Sequence, residues 1–169
     1  MEKALKIQPA TPDHIPIISE LAEHIWPTTY TSILSQEQIR LMLDKMYAPH
    51  ILAEQMASDT QFYLGLIEQT PIGFMAVRKC RSILRIEKLY LNPDQQHSGF
   101  GTQLIQYALT LARNIQCLQI ELNVNRLNPA LNFYKKMGFK IIQQVDIPFY
   151  TFYMNDFVMR LQVDVNKGV

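Results

Sequence analysis

Six residues in the middle of the chain, Gln96-His97-Ser98-Gly99-Phe100-Gly101, carry a pattern suited to holding an anion. Two glycines one residue apart let a backbone turn tightly and approach a ligand with no Cβ in the way, with several amide N–H groups aimed at one point. A helical run, Thr102 to Arg113, follows at once, and a helix start adds unpaired N–H donors and the positive end of its dipole. The dipole contributes about 0.3–1 kcal/mol per charge. Each hydrogen bond to a charged acceptor contributes about 1.5–3 kcal/mol, so the amides outweigh the dipole, and phosphate is the ligand the pattern fits. A dinucleotide fingerprint would need a third glycine where Leu104 stands, and a Walker loop would need Gly-Lys-Ser/Thr, which the chain lacks. An ordinary glycine turn capping a helix is the plain alternative.

Other chemistries are poorly served. Cys80 and Cys117 have no Cys-x-x-Cys spacing and lie in apolar-rich segments, so buried reduced thiols are expected. His14, His24 and His50 stand singly without further ligands at metal-binding spacing, and no metal is expected. The net charge of +1 argues against a nucleic-acid surface or a polybasic membrane patch. The first residues, Met-Glu-Lys-Ala-Leu-Lys, do not form a secretory leader, and no apolar run reaches ~18 residues. A cytoplasmic protein is expected. Its 169 residues, with 48% hydrophobic and 18% charged content, suit one domain spanning 1–169.

The remaining elements must position the loop. Leu5 and Ile7 suggest a first strand, and a helix from Asp13 carries Ile17, Ile18, Leu21, Ala22 and Ile25 before Pro27 ends it. Ser35 with Gln38 forms a capping-box pattern for a second helix, and Pro49 opens a third. Residues 62–67 and 72–77 flank Gln69-Thr70-Pro71 as a hairpin. In Leu84 to Leu91 the apolar parity flips between Ile86 and Leu89, which means either a bulge or a strand apolar on both faces. Leu118, Ile120, Leu122 and Val124 alternate as a strand, Asn128-Pro129 opens a helix that Gly138 ends, and residues 140–146 and 150–161 supply two last strands. The order βααα-βββ-α-β-α-ββ predicts an α/β fold with a mixed sheet covered by helices on both faces.

Gln96-x-x-Gly99-x-Gly101 after the fourth strand resembles the central signature of the GNAT superfamily of acetyl-CoA-dependent N-acetyltransferases. A second GNAT run, Asn-x-Ala…Phe-Tyr…Gly-Phe, is matched by Asn128-Pro129-Ala130-Leu131-Asn132-Phe133-Tyr134-Lys135-Lys136-Met137-Gly138-Phe139. Ile86 to Leu91 and Phe152 to Met159 look like the bacterial spermine/spermidine N-acetyltransferase branch. One position departs: GNAT loops often carry a basic residue before the first glycine of the pair, where this chain has Ser98.

The resemblance implies a twisted, mostly antiparallel sheet whose fourth and fifth strands splay apart to admit acetyl-CoA. Gln96, His97, Ser98, Gly99, Phe100, Gly101 and Thr102 would hold its phosphates, and Leu89, Leu91 and Asn128 its pantetheine arm. For His97, plain exposure is the preferred alternative, and for Asn128 an N-cap role. The acetyl group would pass directly to a primary amine, expected to be a small polyamine-like acceptor, with a protein N-terminus or lysine, or a non-catalytic acetyl-CoA regulator, as alternatives. An amine of pKa ~10.4 costs roughly 4–5 kcal/mol to deprotonate near pH 7, so a base is wanted, and Glu87 beside the parity flip is the candidate, with a solvated or salt-bridged strand carboxylate as its alternative. Tyr134 occupies the GNAT position of the acid that protonates the departing thiolate, with a core tyrosine on the apolar stripe of its helix as the alternative. Trp26, Tyr30 and Asp156 are candidates for the acceptor side, with core filling and a turn as their alternatives, and Glu20, Glu23, Glu37 and Asp44 as an acidic wall or a solvated face. A homodimer is an open expectation.

Overall fold

The computed structural model describes residues 3–166, and the expected domain limits reach past these at both ends. The described elements are β1 (Lys6–Pro9), α1 (Ile15–Tyr30), α2 (Gln36–Met46), α3 (Pro49–Ala57), β2 (Thr60–Ile67), β3 (Thr70–Cys80), β4 (Ile83–Leu91), α4 (Phe100–Asn114), β5 (Gln119–Asn125), α5 (Ala130–Lys136), β6 (Lys140–Phe149) and β7 (Phe152–Gln162). Their order is the expected one. The chain divides into two compact units, one holding residues up to Arg78 with Lys88–Leu104, the other Lys79–Glu87 with residues from Ile105 onward.

In the first unit β1 pairs with β2 and β2 with β3, both antiparallel. The hairpin turns at Glu68 and Gln69, with φ of 48° and 70°, one residue earlier than expected. Two-residue hairpins favour left-handed backbone at both central positions, and the fixed negative φ of Pro71 bars it from that role. Helix α1 buries Ile15, Ile18, Ala22, Ile25, Trp26 and Tyr30 along one stripe and packs on α2 and α3. It does not end at Pro27, as the sequence suggested, but continues to Tyr30. The proline removes one helical donor, and the next turn closes from Thr31 N–H to the Pro27 carbonyl at 3.0 Å. Ser35 caps α2 by accepting from Gln38 N–H at 3.1 Å.

In the second unit the first half of β4 lies parallel to β5, Ile83–Ile86 against Gln119–Leu122. That ladder ends at Leu122, while β5 goes on to Asn125 paired with β7. β7 pairs antiparallel with both β5 and β6. Ile120, Leu122 and Val124 are buried in strict alternation, whereas Leu118, just before the strand, is 52% exposed. Cys117 is buried, but Cys80 at the end of β3 is exposed, contrary to expectation. Gly138 has φ +99° after α5, where its N–H bonds the Lys135 carbonyl and Phe139 N–H the Tyr134 carbonyl.

The parity flip in β4 has a simple cause. Leu84, Ile86 and Lys88 are all buried, so the buried phase runs on through Lys88. The register with β5 shows no shift from Ile83 to Ile86. A lysine occupies a buried position where the eye looks for an apolar residue. Among the described residues no helix is long and apolar enough to cross a membrane, and no group of three His, Cys, Asp or Glu could hold a metal.

Candidate active site

The glycine loop lies wholly in the first unit. After β4, Asn92 donates its N–H to the Ile72 carbonyl at 2.7 Å and accepts from Asp94 N–H through its side chain. A single turn of 3-10 helix follows at Pro93–Gln95, and Gln96 is extended. His97 then takes φ +64° and Gly99 φ +80° before α4 begins. Helix α4 starts at Phe100, two residues earlier than expected, so Gly101 and Thr102 lie in its first turn. The first α-helical bond runs from Gln103 N–H to the Gly99 carbonyl at 3.2 Å. The amides of Phe100 and Gly101 therefore precede the helix's own bonding.

The two glycines are not equivalent. Gly99 carries the left-handed backbone, whereas Gly101 is helical. A Cβ built on Gly99 would meet no protein atom within 4 Å, so its need for glycine is conformational on the protein side and the space before it is open. Phe100 anchors the loop by packing with Ile67, Ile72, Leu5 and Leu91. Gln96, His97, Ser98 and Gly99 are exposed, and Thr102 half-buried. Left-handed residues followed by a helix start leave the first amides of α4 without helical acceptors, an arrangement able to take an anion. Leu89 and Leu91 are half-buried on β4 in the same unit. β3 approaches this strand so closely that a Cβ on Gly73 would lie 2.4 Å from the Tyr90 carbonyl oxygen.

Trp26 and Tyr30 also belong to the first unit, in an aromatic cluster that the sequence did not reveal. Trp26, 2% exposed, has ring centroids 4.4 Å from Tyr30, 5.6 Å from Tyr47 and 5.7 Å from Tyr90. The hydroxyls of Tyr30 and Tyr90 are 3.0 Å apart. The Lys88 ammonium lies 5.2 Å from the Tyr47 ring centre. Trp26 Nε1 and Tyr47 Oη have no hydrogen-bond partner of ordinary geometry, and burial pushes the Tyr47 phenol far up, with Trp26 and Tyr90 groups pulling partly back. Trp26 fills core, as its alternative had it. The suspected acidic wall is half neutralised: Arg40 forks onto Glu23 and also bonds Asp44 on an exposed surface.

The second unit holds Glu87, Asn128, Tyr134 and Asp156. Tyr134 is 8% exposed, with its ring centroid 5.3 Å from Phe133 and 5.7 Å from Phe139. Asn128 Oδ1 accepts from Ala130 N–H at 2.9 Å in an Asx turn one residue ahead of Pro129, which takes the N-cap position expected of Asn128. Glu87 is exposed at the backbone's outer side of β4, and its Oε1 is 3.8 Å from Arg85 Nε. Arg85 belongs to a row that sequence reading missed. It donates from Nη1 to Glu121 Oε1 at 2.6 Å and from Nη2 to Asn123 Oδ1 at 2.7 Å, and Arg160 takes Glu121 Oε2 at 2.7 Å. Asp156 is no turn residue. It lies within β7 opposite Asn125 and Val145, and accepts from Asn123 Nδ2 at 3.4 Å. Burial raises its carboxyl above the ordinary range, against the opposing pull of Asn123 and Arg126.

Known proteins resemble this chain in sequence and fold. A family model described as an acetyltransferase (GNAT) domain matches residues 30–150. A spermidine N(1)-acetyltransferase of Thermoplasma acidophilum is 26% identical over 144 residues, 82% of this chain and 89% of that one. The peptidyl-lysine N-acetyltransferase YjaB of Salmonella typhimurium is 35% identical over 100 residues, 56% of this chain and 63% of that one. Among solved structures, the PaiA N-acetyltransferase of Thermoplasma acidophilum in complex with coenzyme A superposes with a TM-score of 0.84 at 25% identity, covering 94% of this chain and 99% of that one. The chain belongs to the GNAT acetyltransferase family and is an acetyl-CoA-dependent N-acetyltransferase.

Proposed function

We propose that the acceptor is a small polyamine-like primary amine, acetylated by direct transfer. The observation that carries this reading is Asp156, a half-buried carboxylate with one long hydrogen bond from a neutral amide. A carboxylate so poorly compensated favours a cationic partner, and a second ammonium on the acceptor supplies one. The relative named as a spermidine N(1)-acetyltransferase, matched over most of both chains, supports the same class.

Acetyl-CoA, when bound, supplies the activated acetyl group and a thiolate leaving group. The amides at Phe100 and Gly101, with the open face of Gly99, would hold its phosphates, and Leu89, Leu91 and Asn128 its pantetheine arm, Asn128 through the side-chain N–H groups that its Asx-turn oxygen leaves over. Glu87 takes the proton from the acceptor amine, directly or through water, which offsets the roughly 4–5 kcal/mol needed to expose a neutral amine at pH 7. Tyr134 gives the leaving sulfur its proton. Tyr30 bounds the acceptor side, and Trp26, filling core behind it, holds its ring in place.

A peptidyl-lysine acceptor is the second reading, favoured by the 35% identity over 100 residues to YjaB. Measuring free thiol released from acetyl-CoA with spermidine, putrescine, free amino acids and a lysine peptide separates the two. Turnover of spermidine with KM well below that of the peptide supports the polyamine reading. Turnover of the peptide alone overturns it.

A further inference from the structure

We propose that Arg85 and Asn123 are positioning residues that hold the Asp156 carboxylate ready for the acceptor's distal ammonium group. The inference rests on the reading of Asp156 as the acceptor anchor and adds how the chain prepares it. Glu121, largely buried in β5, accepts from Arg85 at one oxygen and from Arg160 at the other, so both arginines are clamped across the register Arg85–Glu121–Arg160. A guanidinium has donors and no acceptor. With Nη2 of Arg85 2.7 Å from the Asn123 side chain, the amide must turn its oxygen to Arg85. Its NH2 group is then obliged to face Asp156 Oδ2, where it is found. Each link fixes the orientation of the next.

The choice of an amide at 123 matters. A cation there would neutralise Asp156, whereas an amide orients the carboxylate and leaves its charge in place. Arg126, the cation that acts on Asp156, spends its own guanidinium on Asp146 Oδ1 at 2.6 Å, the Val145 carbonyl at 3.0 Å and the Asp156 main-chain carbonyl. The Asp156 carboxylate is therefore held in direction but not in charge. Arg85 also lies 3.8 Å from Glu87, so the same guanidinium borders Glu87 directly and reaches Asp156 through the Asn123 amide.

The test is steady-state thiol release with saturating acetyl-CoA, using spermidine and, as a single-amine control, butylamine. Asn123→Ala should raise KM for spermidine about tenfold, the loss of one charge-directed contact, with kcat within a factor of two. The butylamine KM and the acetyl-CoA KM should not move. Asn123→Ser, whose hydroxyl accepts and donates, should recover part of the loss. Arg85→Lys, which keeps the charge but loses the fork, should raise the spermidine KM likewise. In an Asp156→Asn background Asn123→Ala should add nothing. A spermidine KM within twofold of wild type in Asn123→Ala, an equal rise for butylamine, or a full additive effect in the Asp156→Asn background overturns the inference while leaving the polyamine reading standing. A wild-type enzyme that does not acetylate spermidine overturns both.

Discussion

Gly73 and Gly99 belong to the same unit and answer to opposite constraints. At Gly73 a side chain would collide with backbone: its Cβ would lie 2.4 Å from the Tyr90 carbonyl oxygen and 3.2 Å from Leu91 Cα. At Gly99 a Cβ would meet nothing, yet the backbone sits at φ +80°, where a side chain is strained. The first glycine is explained by the protein's own packing. The second leaves an open face beside the first amides of α4, and no described residue comes within 4 Å of a Cβ built there. A residue type that the fold alone does not need in space is a mark of a ligand site, and Asp156 repeats the lesson in charge rather than in volume.

The largest effect should follow from breaking the packed member of the pair. Gly73→Ala drives a methyl group into main chain that cannot swing aside, and overpacking of that kind costs about 3 kcal/mol or more. The midpoint of thermal unfolding should drop by roughly 6–12 °C. A drop of under 2 °C would show that β3 and β4 separate easily at this point, and the contrast with Gly99 would lose its basis.

Tyr134→Phe comes next, since it keeps the contacts with Phe133 and Phe139 and removes only the hydroxyl. We expect kcat to fall on the order of 10²-fold while acetyl-CoA still binds. Turnover within twofold of wild type would return Tyr134 to the core. Gly101→Val should act on affinity instead: Gly101 is helical, so the substitution adds bulk at the loop without backbone strain. Calorimetry should find acetyl-CoA binding weakened about tenfold with little loss of stability, and an unchanged affinity would move the phosphates elsewhere. Glu87→Gln should slow the reaction several-fold, most at low pH, where neutral amine is scarcest, with partial recovery as pH rises. A pH–rate profile that overlays wild type would remove Glu87 from the chemistry.

The sequence disclosed elements wherever one residue's fate depends on its near neighbours. The alternation of Ile120, Leu122 and Val124, the cap of Ser35 on α2 and the left-handed Gly138 after α5 are all local matters. Pro27 misled because a proline near a helix end removes only one bond, and one more turn can follow. Lys88 misled because burial of a long cationic side chain depends on what lies across from it, here the Tyr47 ring. The glycine loop was legible as a tight turn into a helix, although only the backbone angles distinguish Gly99 from Gly101. The row through Arg85, Glu121 and Arg160 was not, because its members are 36 and 39 residues apart and meet only through strand register. The role proposed for Tyr134 rests on family resemblance, and that proposed for Glu87 on its place beside the parity flip in β4.

The smallest expected effect is the most direct test of Asp156 as a group kept for a ligand. Burial raises its carboxyl, so the folded protein holds that proton more tightly than the unfolded chain does. Stability must then fall as pH rises from the unfolded carboxylate value, about 3.9, through the raised folded value. Asp156→Asn removes the charge and retains the shape. At pH 7 it should raise the thermal midpoint by about 2–4 °C, the equivalent of about 1 kcal/mol for a chain of this size. The advantage should shrink on acidification and vanish below about pH 4, where the wild-type carboxyl is protonated in both states. Added spermidine should raise the wild-type midpoint at pH 7 and leave the variant nearly unmoved. A variant less stable than wild type at pH 7 would mean that Asn123 and Arg126 already satisfy the carboxylate. Asp156 would then resemble Gly73, a residue explained by its neighbours, and the anchor for the acceptor would have to be sought elsewhere.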